Sequence, residues 1–307
     1  MTFPLFLRYL IFIFLFVISF IHSSSILDIS RLGVSSRSIS VGRSTGFTQQ
    51  AFNIFENPAG LSSMNHVNFS EFFTSTLDDE VSFVFSALAI PLSDGVIGFG
   101  WMKASSKDII HTDISHSYPY EKSRFNYMDE LFKIGYGFPL NFNLDFGLTF
   151  TYHRFSLGSF VTGTGYNLDF SAHYYLNSWA QFNFFVLNTL PSLKVNYDNN
   201  VSLSFPSKIK LNSKFSMDYY NFYSSLAYYF DYSSFDFGLG VDYQLPFFSY
   251  LVLGCGYSLT SPMGNLQHHF NVGFSLTLSG IDFSFCYEKS QYLVSPQQYF
   301  ISFSVDF

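Results

Sequence analysis

From Gln298 to Phe307 the chain reads QYFISFSVDF. Tyr299, Ile301, Phe303, Val305 and Phe307 fall on one face of a strand and Gln298, Ser302, Ser304 and Asp306 on the other, with Phe300 the exception. The same period of two recurs upstream. Phe142, Leu144, Phe146, Leu148, Phe150 and Tyr152 oppose Asn143, Asp145, Gly147, Thr149, Thr151 and His153. Phe235, Phe237, Leu239, Val241 and Tyr243 oppose Asp236, Gly238, Gly240, Asp242 and Gln244, and Phe270, Val272, Phe274, Leu276 and Leu278 oppose Asn271, Gly273, Ser275, Thr277 and Ser279. One face is continuously apolar and the other is small and polar. A soluble β-sandwich has this period too, but its outer face carries Lys and Glu where this chain has Asn, Gly and Ser.

The alternation predicts about fourteen strands long enough to cross a membrane at a tilt. In hydrocarbon every backbone N–H and C=O must be satisfied within the structure, which leaves helices and closed barrels as the spanning forms. Past the first two dozen residues no apolar run approaches the roughly 18 positions of a spanning helix. The expected fold is therefore all-β, a transmembrane antiparallel β-barrel. Connection lengths point the same way. Short turns at Pro91–Gly95, Pro139–Asn143, Leu176–Ser178 and Leu278–Gly280 interleave with longer segments at Ala104–Tyr127, Arg154–Gly165, Leu187–Phe205 and Glu288–Gln297. Short turns on one side and long loops on the other are the outer-membrane arrangement, and an even strand number leaves both ends on the short-turn side.

Composition adds to this picture. Charged residues are 12% of the chain, about half the soluble norm, whereas 42 Phe and 22 Tyr require a non-aqueous neighbour. Arg8 followed by an apolar core from Leu10 to Ile21 and then Ser23, Ser24 and Ser25 reads as a signal peptide, residues 1–25. Cys255 and Cys286 fall on opposite faces of their strands, so no disulfide is expected. A net charge of −7 with no basic stripe argues against nucleic acid.

Residues 26–62 lack the alternation, and Phe47–Phe55 supports at best one or two helical turns. Asn57, Pro58, Ala59 and Gly60 then make a rigid turn: Pro58 fixes its own φ, Asn57 is held extended and free to cap backbone groups, and Gly60 tolerates positive φ. The run Arg37-Ser38-Ile39-Ser40-Val41-Gly42, followed by Ala51-Phe52-Asn53-Ile54-Phe55-Glu56-Asn57-Pro58-Ala59-Gly60-Leu61, resembles the N-terminal signature of the FadL-type outer-membrane proteins. That family includes long-chain fatty-acid channels and the PorV-like proteins associated with secretion. The stretches from Gly238 and Leu251 and the closing strand are similar to the PorV-like branch in order and spacing. Glu56 stands where the family has an aromatic residue, and Arg43–Phe47 is more polar than the family's Gly- and Ala-rich run.

The resemblance implies that residues 26–62 form a hatch inside a barrel spanning 63–307, in the bacterial outer membrane. Asn57, Pro58, Ala59 and Gly60 would be its hinge-like turn. It further implies passage of hydrophobic molecules through the lumen and a gap in the wall, with Phe72, Tyr175, Tyr223, Tyr229 and Phe300 as the inward aromatics that line the path or pack on the hatch. Membrane lipid and hydrophobic small molecules are the implied partners, and the barrel-assembly machinery would read the terminal Phe307. Two other readings compete. A PorV-like accessory barrel would bind a secreted protein through the polar segment Ala104–Tyr127. A diffusion porin would use the inward Asp129, Asp145, Asp169, Asp236, Asp242, Asp282 and Asp306, set against few cations, chiefly Lys133, Lys208 and Lys210; their scatter in depth is unlike a filter. No cofactor or metal is implied: His268 and His269 are adjacent and point apart. No GxSxG or HExxH motif supports an enzyme.

Overall fold

The computed structural model describes residues 32–76, 80–115, 118–189, 194–230, 233–261, 266–291 and 297–307. The expected signal peptide and the first hatch residues, 26–31, lie outside them. Sixteen strands form one antiparallel sheet: β1 (Asn68–Thr76), β2 (Val81–Leu92), β3 (Gly95–Ser115), β4 (Tyr118–Asn141), β5 (Leu144–Leu157), β6 (Val161–Tyr175), β7 (Ala180–Leu187), β8 (Lys194–Tyr197), β9 (Ser202–Ser204), β10 (Lys208–Met217), β11 (Tyr220–Tyr229), β12 (Ser234–Gln244), β13 (Leu251–Thr260), β14 (Gln267–Leu278), β15 (Ile281–Ser290) and β16 (Gln297–Asp306). β1 pairs with β16, and β7 skips to β10, so fourteen strands close the wall. β8 and β9 make a small hairpin hung on the end of β6 through Gly163 opposite Tyr197.

The alternation read from the sequence is the alternation of the wall. On β5, Thr149, Thr151 and His153 are buried inside while Leu148 and Phe150 are exposed on the outer face. On β16, Phe300, Ser302 and Ser304 point in, and Tyr299, Ile301 and Phe303 point out. Cys255 lies on the outer side and Cys286 is buried inside; both are free thiols.

Two segments expected as loops are strand. The described residues of Ala104–Tyr127, 104–115 and 118–127, are the upper half of the β3–β4 pair, whose pairing continues to Ser115 opposite Tyr118 through two register shifts near Asp108 and His111. Arg154–Gly165 is likewise β5 and β6 joined by a tight turn at 158–160. Polar composition disguised both, because outside the bilayer a ribbon has no need of an apolar face.

Residues 32–64 lie within the barrel. They form α1 (Ser36–Ser40), α2 (Asn53–Glu56) and a 3-10 helix, Pro58–Ser63. The seat for this segment is made of glycine. A methyl group built on Gly147 of β5 would overlap the backbone of Pro58 and Ala59, and one on Gly137 of β4 would strike the Pro58 carbonyl. Across the lumen, Gly238, Gly240 and Gly256 of β12 and β13 leave room for the backbone of Val41 and Gly42. Gly42 itself has φ +72°, a conformation that favours glycine. The interior would otherwise have no space for a second layer of main chain at these points.

Gly147→Val is therefore expected to leave the barrel folded, with unchanged heat-modifiable mobility on electrophoresis. It should lift the Pro58–Ala59 backbone at a cost of about 1–3 kcal/mol. Hydrogen exchange read by mass spectrometry should then show faster exchange of the hatch amides, while wall amides keep their protection.

Candidate functional site

The lumen divides at the hatch. On the side of the long hairpins it is apolar. Phe72 of β1 stacks on Phe85 of β2 at 5.0 Å and on Phe300 of β16 at 5.9 Å, and Phe55 of the hatch meets Phe85 at 6.1 Å. Phe52, Met102 and Leu131 continue the column, which reaches Val195 of β8 and Phe205 beyond β9. All of these side chains are buried, and each such ring or aliphatic chain contributes roughly 1.5–3 kcal/mol by leaving water. The lumen of an aqueous pore is polar; here the part on the side of the long hairpins is a hydrophobic core.

The hatch is tied down by hydrogen bonds and ion pairs to inward side chains. The Ala51 N–H donates to Asn68 Oδ1 (2.7 Å) and the Ala59 N–H to Ser171 Oγ (2.8 Å). Asn57, expected to cap backbone groups, makes no capping bond; its amide donates to Asn183 Oδ1 (2.9 Å), and Asn183 in turn donates to the carbonyls of Thr45 and Gly46. Arg43 donates to Glu288 Oε2 at 2.7 Å, with His269 on the other carboxylate oxygen at 3.0 Å. Arg37 reaches Asp242 at 3.5 Å, and Gln50 donates to Asp282 at 3.2 Å. The lumenal carboxylates read from sequence as a scattered network thus have partners, several of them supplied by the hatch. Asp169 is held by Lys133 (2.6 Å) and Asp129 by His153. Arg37 and Arg43 were the cations missing from the sequence count, because a segment without periodicity has no predicted facing.

The inward aromatics fall into three places. Phe72 and Phe300 belong to the apolar column. Tyr229 lies apart, under the Lys208 ammonium at 5.5 Å. Tyr175 and Tyr223 sit on the short-turn side of the hatch with Phe47: Tyr175 stacks on His173 at 4.2 Å, Phe47 meets His173 edge-on at 6.0 Å, and Phe47 lies 5.9 Å from Tyr223. Tyr175 donates to Asp145 (3.1 Å) and Tyr223 to Asp242 (2.7 Å). His173 is 4% exposed, and neither ring nitrogen has a hydrogen-bond partner among the described residues. Leaving such a group unmet costs roughly 1–3 kcal/mol. Phe85 escaped the sequence reading because VSFVFSALAI is apolar on both faces; only its register opposite Phe72 turns it inward.

Glu56 is enclosed at the end of α2, where its Oε2 accepts the Gly46 N–H at 3.0 Å. Burial pushes its carboxyl from 4.5 up to about 7, opposed by Ser38, the Gly46 N–H and the nearby charge of Lys210. The outer face of the wall carries a groove of about 480 Å³ over β1 to β5, walled by Phe69, Leu88, Phe99, Trp101 and Phe132 and floored by Ala87 and Gly100. Directly inside, a side chain on Gly100 would meet Ile54 and Phe55 of the hatch. The strand ladder is continuous at this level, so the gap in the wall implied by the family resemblance is closed here.

These features define a class, a plugged transmembrane β-barrel of the outer-membrane kind. No protein-family model matches the chain, and no curated protein matches it in sequence. Solved structures do match. The Pseudomonas putida toluene transporter TodX is 12% identical with a TM-score of 0.61, over 88% of this chain and 97% of its own. A deltaS2S3 mutant of the TodX monoaromatic hydrocarbon channel gives 0.63 at 12% identity, over 90% and 99%. A Pseudomonas aeruginosa FadL homologue gives 0.61 at 10% identity, over 94% and 99%. The chain thus has the fold of the FadL-type outer-membrane barrels.

Arg43→Met leaves Glu288 buried without its main counter-charge, which should destabilise the hatch by about 3–5 kcal/mol; exchange of the Leu32–Arg43 amides reads this. For Glu56 the folded-state value is raised, so its contribution is fully present below pH 4.5 and is lost as pH rises through about 7. Protection of the Gly46 amide should fall across that window in the native protein and stay flat in Glu56→Gln.

Proposed function

We propose that this protein conducts hydrophobic molecules across the outer membrane by passive diffusion, gated by the hatch. The observation that carries the reading is the buried aromatic column between the β8–β9 hairpin and Phe55. A lumen meant for ions or sugars gains nothing from stacked Phe72, Phe85 and Phe300, whereas an apolar solute needs a path away from water. The outer groove at Gly100 supports a sideways exit into lipid, since at that point one glycine separates the hatch from the bilayer side. The named activities of the neighbouring TodX structures agree with this class of cargo. The hatch filling the lumen weighs against an open porin.

The β3–β4 ribbon favours a second role, protein docking. Beyond Ser105 of β3 and Tyr127 of β4, neither edge of the ribbon is paired to a neighbouring wall strand among the described residues. Open strand edges recruit partner strands.

The test is uptake of a radiolabelled neutral hydrocarbon by cells with an intact lipopolysaccharide layer. Native protein should accelerate it, and Phe72→Asn or Phe300→Asn should reduce it by roughly tenfold or more, because each puts an amide into the apolar path. Uptake of a small sugar without uptake of hydrocarbon would overturn the proposal in favour of the porin.

A further inference from the structure

Below the hatch, on the short-turn side, the wall presents one level of inward side chains across four neighbouring strands. Tyr175 of β6 stands opposite Gln181 of β7, Gln181 opposite Lys214 of β10, and Lys214 opposite Tyr223 of β11. Neighbouring strands are about 4.8 Å apart, so this row spans roughly 14 Å of wall. His173 and Phe47 roof it.

The hydrogen-bonding capacity of this row is unevenly met. The two phenols are spent, one on Asp145 and the other on Asp242, which also holds Arg37. Lys214 is not: its ammonium lies 5.9 Å over the Tyr223 ring and has no carboxylate at ion-pair distance among the described residues. His173 is the second unmet group. Both of its ring nitrogens are buried without a hydrogen-bond partner among the described residues, with the Gln181 amide beside the ring. An ammonium offers three donors and a neutral imidazole one. What Lys214 and His173 lack is an acceptor within hydrogen-bond reach, ideally a charged one, on a body flat enough to lie among rings.

The geometry points to a second binding site, on the far side of the hatch from the apolar column, for an aromatic carboxylate. Its carboxylate is met by Lys214 and the His173 ring N–H, and its ring lies among Phe47, Tyr175 and Tyr223. The site would receive an acidic hydrophobe after it has passed the hatch. That role rests on the transport reading, but binding at the site does not.

The test is calorimetric titration of the full detergent-purified protein with cinnamate and with its neutral isostere cinnamamide. Native protein should bind cinnamate roughly tenfold or more tightly than the amide, the scale of one charge-assisted contact. Lys214→Met should erase that preference, Lys214→Arg should restore most of it, and His173→Phe, which keeps the ring, should weaken cinnamate several-fold. Equal binding of the two ligands to native protein, or an unchanged preference in Lys214→Met, overturns the site. Hydrocarbon uptake separates the two claims: Lys214→Met should take up the neutral probe at the native rate. A native protein that prefers cinnamate but takes up no hydrocarbon supports the site while refuting transport.

Discussion

The close approach of the hatch backbone to the inner wall is the constraint on which the rest of this structure depends. A barrel of fourteen strands encloses a lumen that side chains alone would line. Here the wall withdraws its side chains at Gly137 and Gly147 on one side and at Gly238, Gly240 and Gly256 on the other. Main chain from Val41–Gly42 and Pro58–Ala59 occupies the space. Once these two points are seated, the intervening segment is fixed in height. It is then held by Asn183, Asn212 and Lys210, which bond to its carbonyls and to Thr45.

Seating the hatch also arranges the charges. Buried carboxylates are tolerated only when paired, and the buried Asp242 and Glu288 take Arg37 and Arg43 from the hatch, while the half-buried Asp282 accepts a hydrogen bond from Gln50. The hatch is thus both plug and counter-charge. The wall supplies further partners to the same carboxylates, His269 to Glu288, Asn221 and Tyr223 to Asp242, and Thr277 to Asp282. Glu56, enclosed where the segment turns towards the Asn57–Gly60 corner, has its carboxyl held above the usual carboxylate range by burial.

The division of the lumen follows. Phe52 and Phe55 on the upper side of the hatch complete a hydrophobic column with Phe72, Phe85 and Phe300. Phe47 on the lower side joins Tyr175, Tyr223 and His173 in a mixed aromatic and polar level. One short segment therefore separates two chemical environments.

Much of this was written in the sequence. Period-two alternation fixes which residues of β5, β12, β14 and β16 face out, because a residue's side of the wall depends only on parity and the bilayer demands an apolar outer face. The Asn-Pro-Ala-Gly corner was legible in part: Asn57 is extended, as the following Pro58 requires, but its side chain makes no cap, and Gly60 lies in a 3-10 helix without a positive φ. Where both faces of a strand are apolar, as around Phe85, parity had nothing to choose between, and polar β-ribbon above the bilayer read as loop. The partners of the hatch were out of reach altogether. Arg43 and Glu288 are 245 positions apart and Asn57 and Asn183 are 126 apart, and only closure of the barrel brings each pair together. Local chemistry sets facing and turns, while contacts across a closed lumen depend on the register of every strand between them.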